Sequence, residues 1–329
     1  MLYLEDPAMK NGILAFLGPS LDGDSWEDIC NNCYRERYKD NHYTEIPAVH
    51  GGDGGIEGFT NNGVVTQCYC PEREYTDNEL YNHLRDKMSK DIKKLTEDDY
   101  RKRLQKMGVP PIKEWHFLIP EYRDSRIIEH AETKRIELMR QKKAAPDKFS
   151  HISDDFRIYI KTAEDYRIEI TRLIRTNISD RKLNLDILHA KETNWTSCDT
   201  EKVQNVKRKV KAIMGSVNEE NQQEFDRLVE MYMTAYVKGI EVMGALRVSY
   251  AEIYEDIHTL EQAYKRKITM KTMMNTDSSI NRKLFMDTIE EFEEKIRRDM
   301  KYLTEASISE LSIDLISGWL ADCTMKFKG

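Results

Sequence analysis

Proline is scarce in this 329-residue chain: only eight occur, and none follows Pro146. Proline breaks helix interiors, so its absence leaves the second half free to form long, uninterrupted helices. No apolar run approaches the ~18 residues of a membrane span, and no such span is expected. The segment "GILAFLG" lacks a strongly basic lead-in, which argues against a secretory signal. Cysteine is also sparse, with six in all. Four of them cluster as Cys30, Cys33, Cys68 and Cys70, and disulfides are not expected of a chain assigned to the reducing cytoplasm. Nor is there an excess of base: the net charge is −7, with 33% charged and 40% hydrophobic residues. The total therefore does not recommend a nucleic-acid partner, although a local basic face counts for more than the sum. Basic runs do occur, in "KMSKDIKKL", "RKRLQK" and "KRKVK", and each reads first as a solvated helix face.

What is present divides into two textures. "SWEDICNNCYRERY" carries apolar residues at helical spacing and reads as a helix capped by Ser25. "YTEIPAVH", "GIEGFT" and "GVVTQCYC" read as strands, the last two joined by the hairpin turn Asn61-Asn62-Gly63. Leu80, Leu84, Met88, Ile92 and Leu95 then mark one helix face. "EWHFLIP" reads as a short buried strand, and a charged helix follows from about Asp124 to Lys143. The expected fold is an α/β (α+β) domain with a small mixed sheet over 1–150. From Phe156 onward no strand pattern is evident. Long amphipathic segments such as "FDRLVEMYMTAYVKGIEVMGALRVSYAEIYEDIHTLEQAY" predict an all-α domain of long helices over 151–329, for oligomerisation or partner binding. Its Met- and Tyr-rich stripes suit a core, and they equally suit docking on another subunit.

The most unusual stretch is "HGGDGGIEGFTNNGVVTQCYCPE", in which glycines crowd around two acids. A phosphate-binding loop would need Gly-Lys-Ser/Thr, which is missing. A dinucleotide fingerprint fails because its third glycine position is Glu57 and a strand follows instead of a helix. A metal site on a strand hairpin remains, where glycine permits sharp turns and keeps bulk away from a large anionic polymer.

On these residues, Gly52-Asp53-Gly54-Gly55-Ile56-Glu57-Gly58 and then Val64-Val65-Thr66-Gln67-Cys68-Tyr69, the chain resembles the core of Mrr-like, PD-(D/E)xK-type restriction endonucleases. That family runs Gly-Asp-x-Gly-x-Asp, then an apolar strand ending in Glu or Gln, any residue, and Lys. Its order of helix, three strands, helix and strand is also matched, over roughly Leu21 to Pro120. The resemblance implies that Glu57 is the principal metal carboxylate, Asp53 a second acid, and Gln67 a metal-facing side chain. Glu27 would be the glutamate of the upstream helix. The implied reaction is Mg²⁺- or Mn²⁺-dependent hydrolysis of DNA phosphodiesters. The chain departs from the family at Tyr69, which stands where the motif has lysine and brings no cation at neutral pH. A positive charge would have to come from the following helix, with Lys87 first and Lys90 second; the alternative is that these are surface lysines.

The four clustered cysteines could form a zinc site or simply be buried thiols, and the spacing favours thiols. His50 adjoins the glycines and reads as a loop histidine or an ion ligand, whereas His42, His83 and His116 are scattered. No serine or cysteine elbow motif is present to support acyl-transfer chemistry. The leading expectation is the endonuclease effector of a multi-component anti-phage system, similar to Lamassu. Its partners would be DNA, further copies of itself, or a structural-maintenance-of-chromosomes-like ATPase, with no membrane. The competing expectation is a catalytically silent nuclease-like scaffold for DNA or proteins, with Tyr69 as its best evidence.

Overall fold

Strong β-formers between two turns make the middle strand of the sheet, and everything in the first unit is placed by it. The computed structural model describes residues 12–17, 21–47, 55–176, 181–188, 194–322 and 324–327. They belong to two compact units, one of Gly12–Leu173 and one beginning at Ile174.

In the first unit the helices α1 (Gly12–Leu17) and α2 (Gly23–Arg37) precede β1 (Thr44–Glu45), β2 (Gly58–Phe59) and β3 (Val64–Cys68). There follow α3 (Asp77–Lys94), α4 (Asp98–Lys106), β4 (Ile112–Leu118), α5 (Arg126–Ala144), β5 (Ile152–Lys161) and α6 (Arg167–Arg175). The sheet order is β1-β2-β3-β4-β5. β1–β2 and β2–β3 pair antiparallel, whereas β3–β4 and β4–β5 pair parallel. A helical crossover is what a parallel pair demands, and α3 with α4, then α5, supply the two.

One face of the sheet packs Val65, Trp115 and Phe117 against Leu80, Leu84, Met88 and Ile92 of α3 and Ile127, Ala131 and Leu138 of α5. Each fully buried side chain of this size contributes roughly 1.5–3 kcal/mol, so the α3 stripe alone holds that helix in place. The opposite face receives α2, whose Trp26 donates from Nε1 to the Leu118 carbonyl at 3.1 Å.

Two boundaries differ from expectation. The cap of α2 is Asp22, not Ser25; Ser25 is the N3 partner in a reciprocal capping box. Strand β5 lies beyond residue 150, in a stretch where no strand was expected past Phe156. The first unit therefore extends to Leu173. The strand lies at the sheet edge, and its register with β4 is irregular between Ile112 and Glu114. Ile152, Phe156, Ile158 and Ile160 keep the two-residue period of a strand, with Asp154 interrupting it.

The second unit is helical: α7 (Thr200–Met214), α8 (Gln222–Ser249), α9 (Ala251–Met274), α10 (Asn281–Asp299) and α11 (Glu305–Ala321). The most apolar helix, α11, buries Ile308, Leu311, Leu315, Ile316, Trp319 and Leu320. Its C-terminal carbonyls are held by a buried cation: Lys209 Nζ donates to Trp319 O at 3.1 Å, to Leu320 O at 2.6 Å and to Asp322 O. Positive charge suits that end of a helix. Among the described residues no helix is long and apolar enough to cross a membrane.

Candidate functional site

The site begins at the β2–β3 hairpin. Thr60 and Gly63 close its turn through Thr60 N to Val64 O at 2.9 Å and Gly63 N to Thr60 O at 3.2 Å. Gly63 has φ +90°, and a Cβ there would lie 2.6 Å from the Pro111 carbonyl, so the turn requires glycine. The hairpin pairs Gly58 with Thr66 and Phe59 with Val65. Glu57 immediately precedes β2, its own N–H donating to Thr66 O at 2.7 Å.

The carboxylate of Glu57 turns back onto β3. Oε1 accepts from Gln67 Nε2 at 2.7 Å, and Oε2 accepts from the Cys68 backbone N–H at 2.6 Å. Glu57 is only 5% exposed and Gln67 is fully buried. The two residues singled out in the sequence are therefore brought together, as a hydrogen-bonded clamp inside the unit. A buried carboxylate without such donors would cost several kcal/mol, so this geometry stabilises the charge.

Glu27 lies on α2, one turn before Cys30, and is half-buried. The charges of Glu57 and Glu27 each add to the effect of burial in raising the Cys30 thiol. The buried thiols of Cys30 and Cys68 are near neighbours across the α2–β3 contact. Burial, the largest cause for each, pushes both thiols up, which keeps them protonated and poor as ligands. Cys70 instead directs its sulfur toward the carbonyls of Leu21 and Pro71. Among the described residues no three His, Cys, Asp or Glu side chains converge as a metal site. Asp53 and His50 lie outside the described residues.

As donors, Glu57, Glu27 and Gln67 fit a hard cation such as Mg²⁺, which takes oxygen ligands. Gln67, however, offers Nε2 to Glu57, so its amide must turn over before both side chains present oxygen to one ion.

Tyr69 stacks near-parallel with Phe117, ring centroids 6.5 Å apart, and packs against the core. Burial raises its phenol further, so it supplies no charge. Lys87 is engaged elsewhere. Its Nζ lies 2.8 Å from Oδ2 of Asp91, whose side chain is fully buried, and Lys94 Nζ lies 3.0 Å from Oδ1. Lys90 is exposed. Lys94, which the same helix also offers behind the preferred Lys87 and Lys90, is the lysine beside Gly55: a Cβ on Gly55 would lie 3.1 Å from Lys94 Cδ, and Gly55 is two residues from Glu57. The signal was Asp91 itself, an acid three residues after Met88 inside an apolar stripe, flanked by lysines at i−4 and i+3.

His116 is not isolated: it lies at the register position of Thr66, on the face of the sheet that α2 covers. Its Nδ1 lies 2.6 Å from Tyr34 Oη, which lies 2.5 Å from Tyr166 Oη, and its Nε2 lies 2.7 Å from Glu114 Oε2. One proton order satisfies the chain: Tyr166 donates to Tyr34, Tyr34 to Nδ1, and the neutral ring from Nε2 to Glu114. The network fixes α2, and with it Glu27, against the sheet. His83 stacks on Tyr75 at 4.2 Å, and His42 takes a left-handed turn before β1. Compared with protein-family models, curated proteins and solved structures, the chain matches none of them.

Proposed function

We propose that the chain is a metal-dependent DNA endonuclease, the phosphodiester-hydrolysing effector of a multi-component anti-phage assembly working in the cytoplasm. One observation carries this reading: Glu57 and Gln67 meet at 2.7 Å where β2 and β3 join. The order of helix, three strands, helix and strand supports it, because that order puts these side chains at one end of the hairpin. Glu57, with Asp53 and Gln67, would hold Mg²⁺ or Mn²⁺. Bound there, the ion supplies Lewis acidity toward the phosphodiester and toward an attacking water. Glu57 carries the anchoring charge, Gln67 and the Cys68 N–H orient it, and Glu27 adds negative charge from α2. Lys87, or Lys94 beside it, would offset charge on the phosphoryl group once released from Asp91. The helical unit would assemble the nuclease with further copies or with a structural-maintenance-of-chromosomes-like ATPase that senses DNA.

A second reading, a catalytically inactive scaffold for DNA or proteins, is favoured by one specific feature. The lysine position holds Tyr69, whose ring is packed on Phe117 and whose phenol is uncharged.

The test is cleavage of plasmid DNA with Mg²⁺ or Mn²⁺ by the chain alone and with its genomic neighbours. Nicking or linearisation should be lost in Glu57→Gln, which keeps the shape of the clamp, and in Glu57→Ala. Cleavage surviving both substitutions rejects the site. No cleavage under any of these conditions moves the reading to the scaffold.

A further inference from the structure

The helical unit holds a cavity of 580 Å³ where the C-terminal end of α7 meets the N-terminal parts of α8 and α10. That volume is typical of small-molecule sites, which span roughly 300–1,000 Å³. Met214 of α7, Leu228, Met231 and Tyr232 of α8, and Phe285 and Met286 of α10 line it. The wall is fixed at one point by Tyr232 and Phe285, packed edge to face with centroids 5.8 Å apart. At the rim the methionines are open to solvent, Met231 at 66% and Met286 at 48% exposure. Thioethers are soft and adapt to apolar ligands of differing shape.

Two arginines, Arg227 of α8 and Arg282 of α10, also line the cavity. Among the described residues neither guanidinium has an ion-pair or hydrogen-bonding partner. One acid, Glu224, lies on the same lining and is likewise unpaired, so positive charge exceeds negative by one. Guanidinium groups present planar donors that match a carboxylate, sulfonate or phosphate.

We propose that this cavity binds a small amphipathic anion, its apolar body among the methionines and aromatic rings and its head on Arg227 and Arg282. The charge at the rim selects this occupant over a neutral one. The inference does not depend on the nuclease reading, since every residue it uses belongs to the helical unit.

The full-length chain is titrated with 8-anilinonaphthalene-1-sulfonate and, separately, with the neutral N-phenyl-1-naphthylamine, with dodecanoate as competitor. Saturable fluorescence enhancement at one site, displaced by dodecanoate, is expected. The variant Arg227→Met with Arg282→Met keeps apolar stems on the surface and removes the charge. It should weaken the sulfonate probe and dodecanoate by about tenfold or more, and leave the neutral probe within about twofold. Met214→Trp, which fills the cavity, should lose both probes. Sulfonate binding unchanged in the double-arginine variant, or not displaced by dodecanoate, overturns the proposal. So does exclusion of both probes from a chain that light scattering shows to be dimeric, since a second copy would then cover the site.

Discussion

Gly58 sits where the sheet tolerates no side chain: a Cβ there would lie 2.1 Å from Tyr43 Oη and 2.4 Å from its Cζ. Tyr43 cannot yield cheaply, because its hydroxyl lies 2.6 Å from Asn31 Oδ1 and 3.1 Å from Thr66 Oγ1. Gly58→Ala should therefore destabilise the first unit by about 2–4 kcal/mol, read as a lower urea midpoint at unchanged slope. His116 makes a second residue-scale prediction. Burial, outweighing the pull of Glu114, lowers it from an ordinary 6.5 to about 4. Between these values the unfolded chain binds a proton that the folded chain does not. Stability is thus fully present above pH 6.5 and is lost as pH falls toward 4, by on the order of 3 kcal/mol at most. Thermal melts across pH 4–7 should show this slope, and His116→Gln should flatten it. Neither effect was legible in the sequence, where Gly58 is one glycine among many and His116 an unremarkable strand residue.

The helix α3 is the element most nearly readable from sequence alone. Its apolar stripe gave the right face, and Thr76 with Glu79 forms the capping box at its start. Thr76→Ala should cost about 1 kcal/mol by chemical denaturation, the usual loss for an N-cap hydroxyl. The lysines of this helix were legible only as charges. Lys87 and Lys94 both pair with the buried Asp91, so either one can be lost while the other still partners the carboxylate. Lys87→Met and Lys94→Met should each destabilise by roughly 1–2 kcal/mol, and together by more than their sum. An additive pair in a double-mutant cycle would show that Asp91 does not couple them. Strand β5 is the contrasting element. Its apolar residues alternate at Ile152, Phe156, Ile158 and Ile160, but Asp154 interrupts them and the register with β4 is irregular, so pairing with β4 completes the strand.

For the whole molecule, the placement of the unit boundary has an experimental consequence. A fragment ending at residue 150 lacks Ile152 and Phe156, both buried in the sheet's core, and leaves the β4 edge open. A fragment ending at Leu173 keeps them. The shorter fragment should be insoluble or melt without cooperativity, and the longer one should unfold in a single transition by circular dichroism. Periodicity and turn chemistry were enough, on their own, to settle the class of fold, the hairpin with its Gly63 turn, and the long helices α7 to α11. The resemblance to the endonuclease core singled out Glu57 and Gln67, and strand alternation put Gln67 on the same side of β3 as Tyr69. Tertiary packing decided the rest. The Glu57 clamp on the Cys68 N–H, the capture of Lys87 by Asp91, the His116–Tyr34–Tyr166 chain and the cavity beside Arg227 and Arg282 each join residues distant in sequence or depend on how their helix packs. Their energies come from desolvation and close approach, which no local pattern encodes.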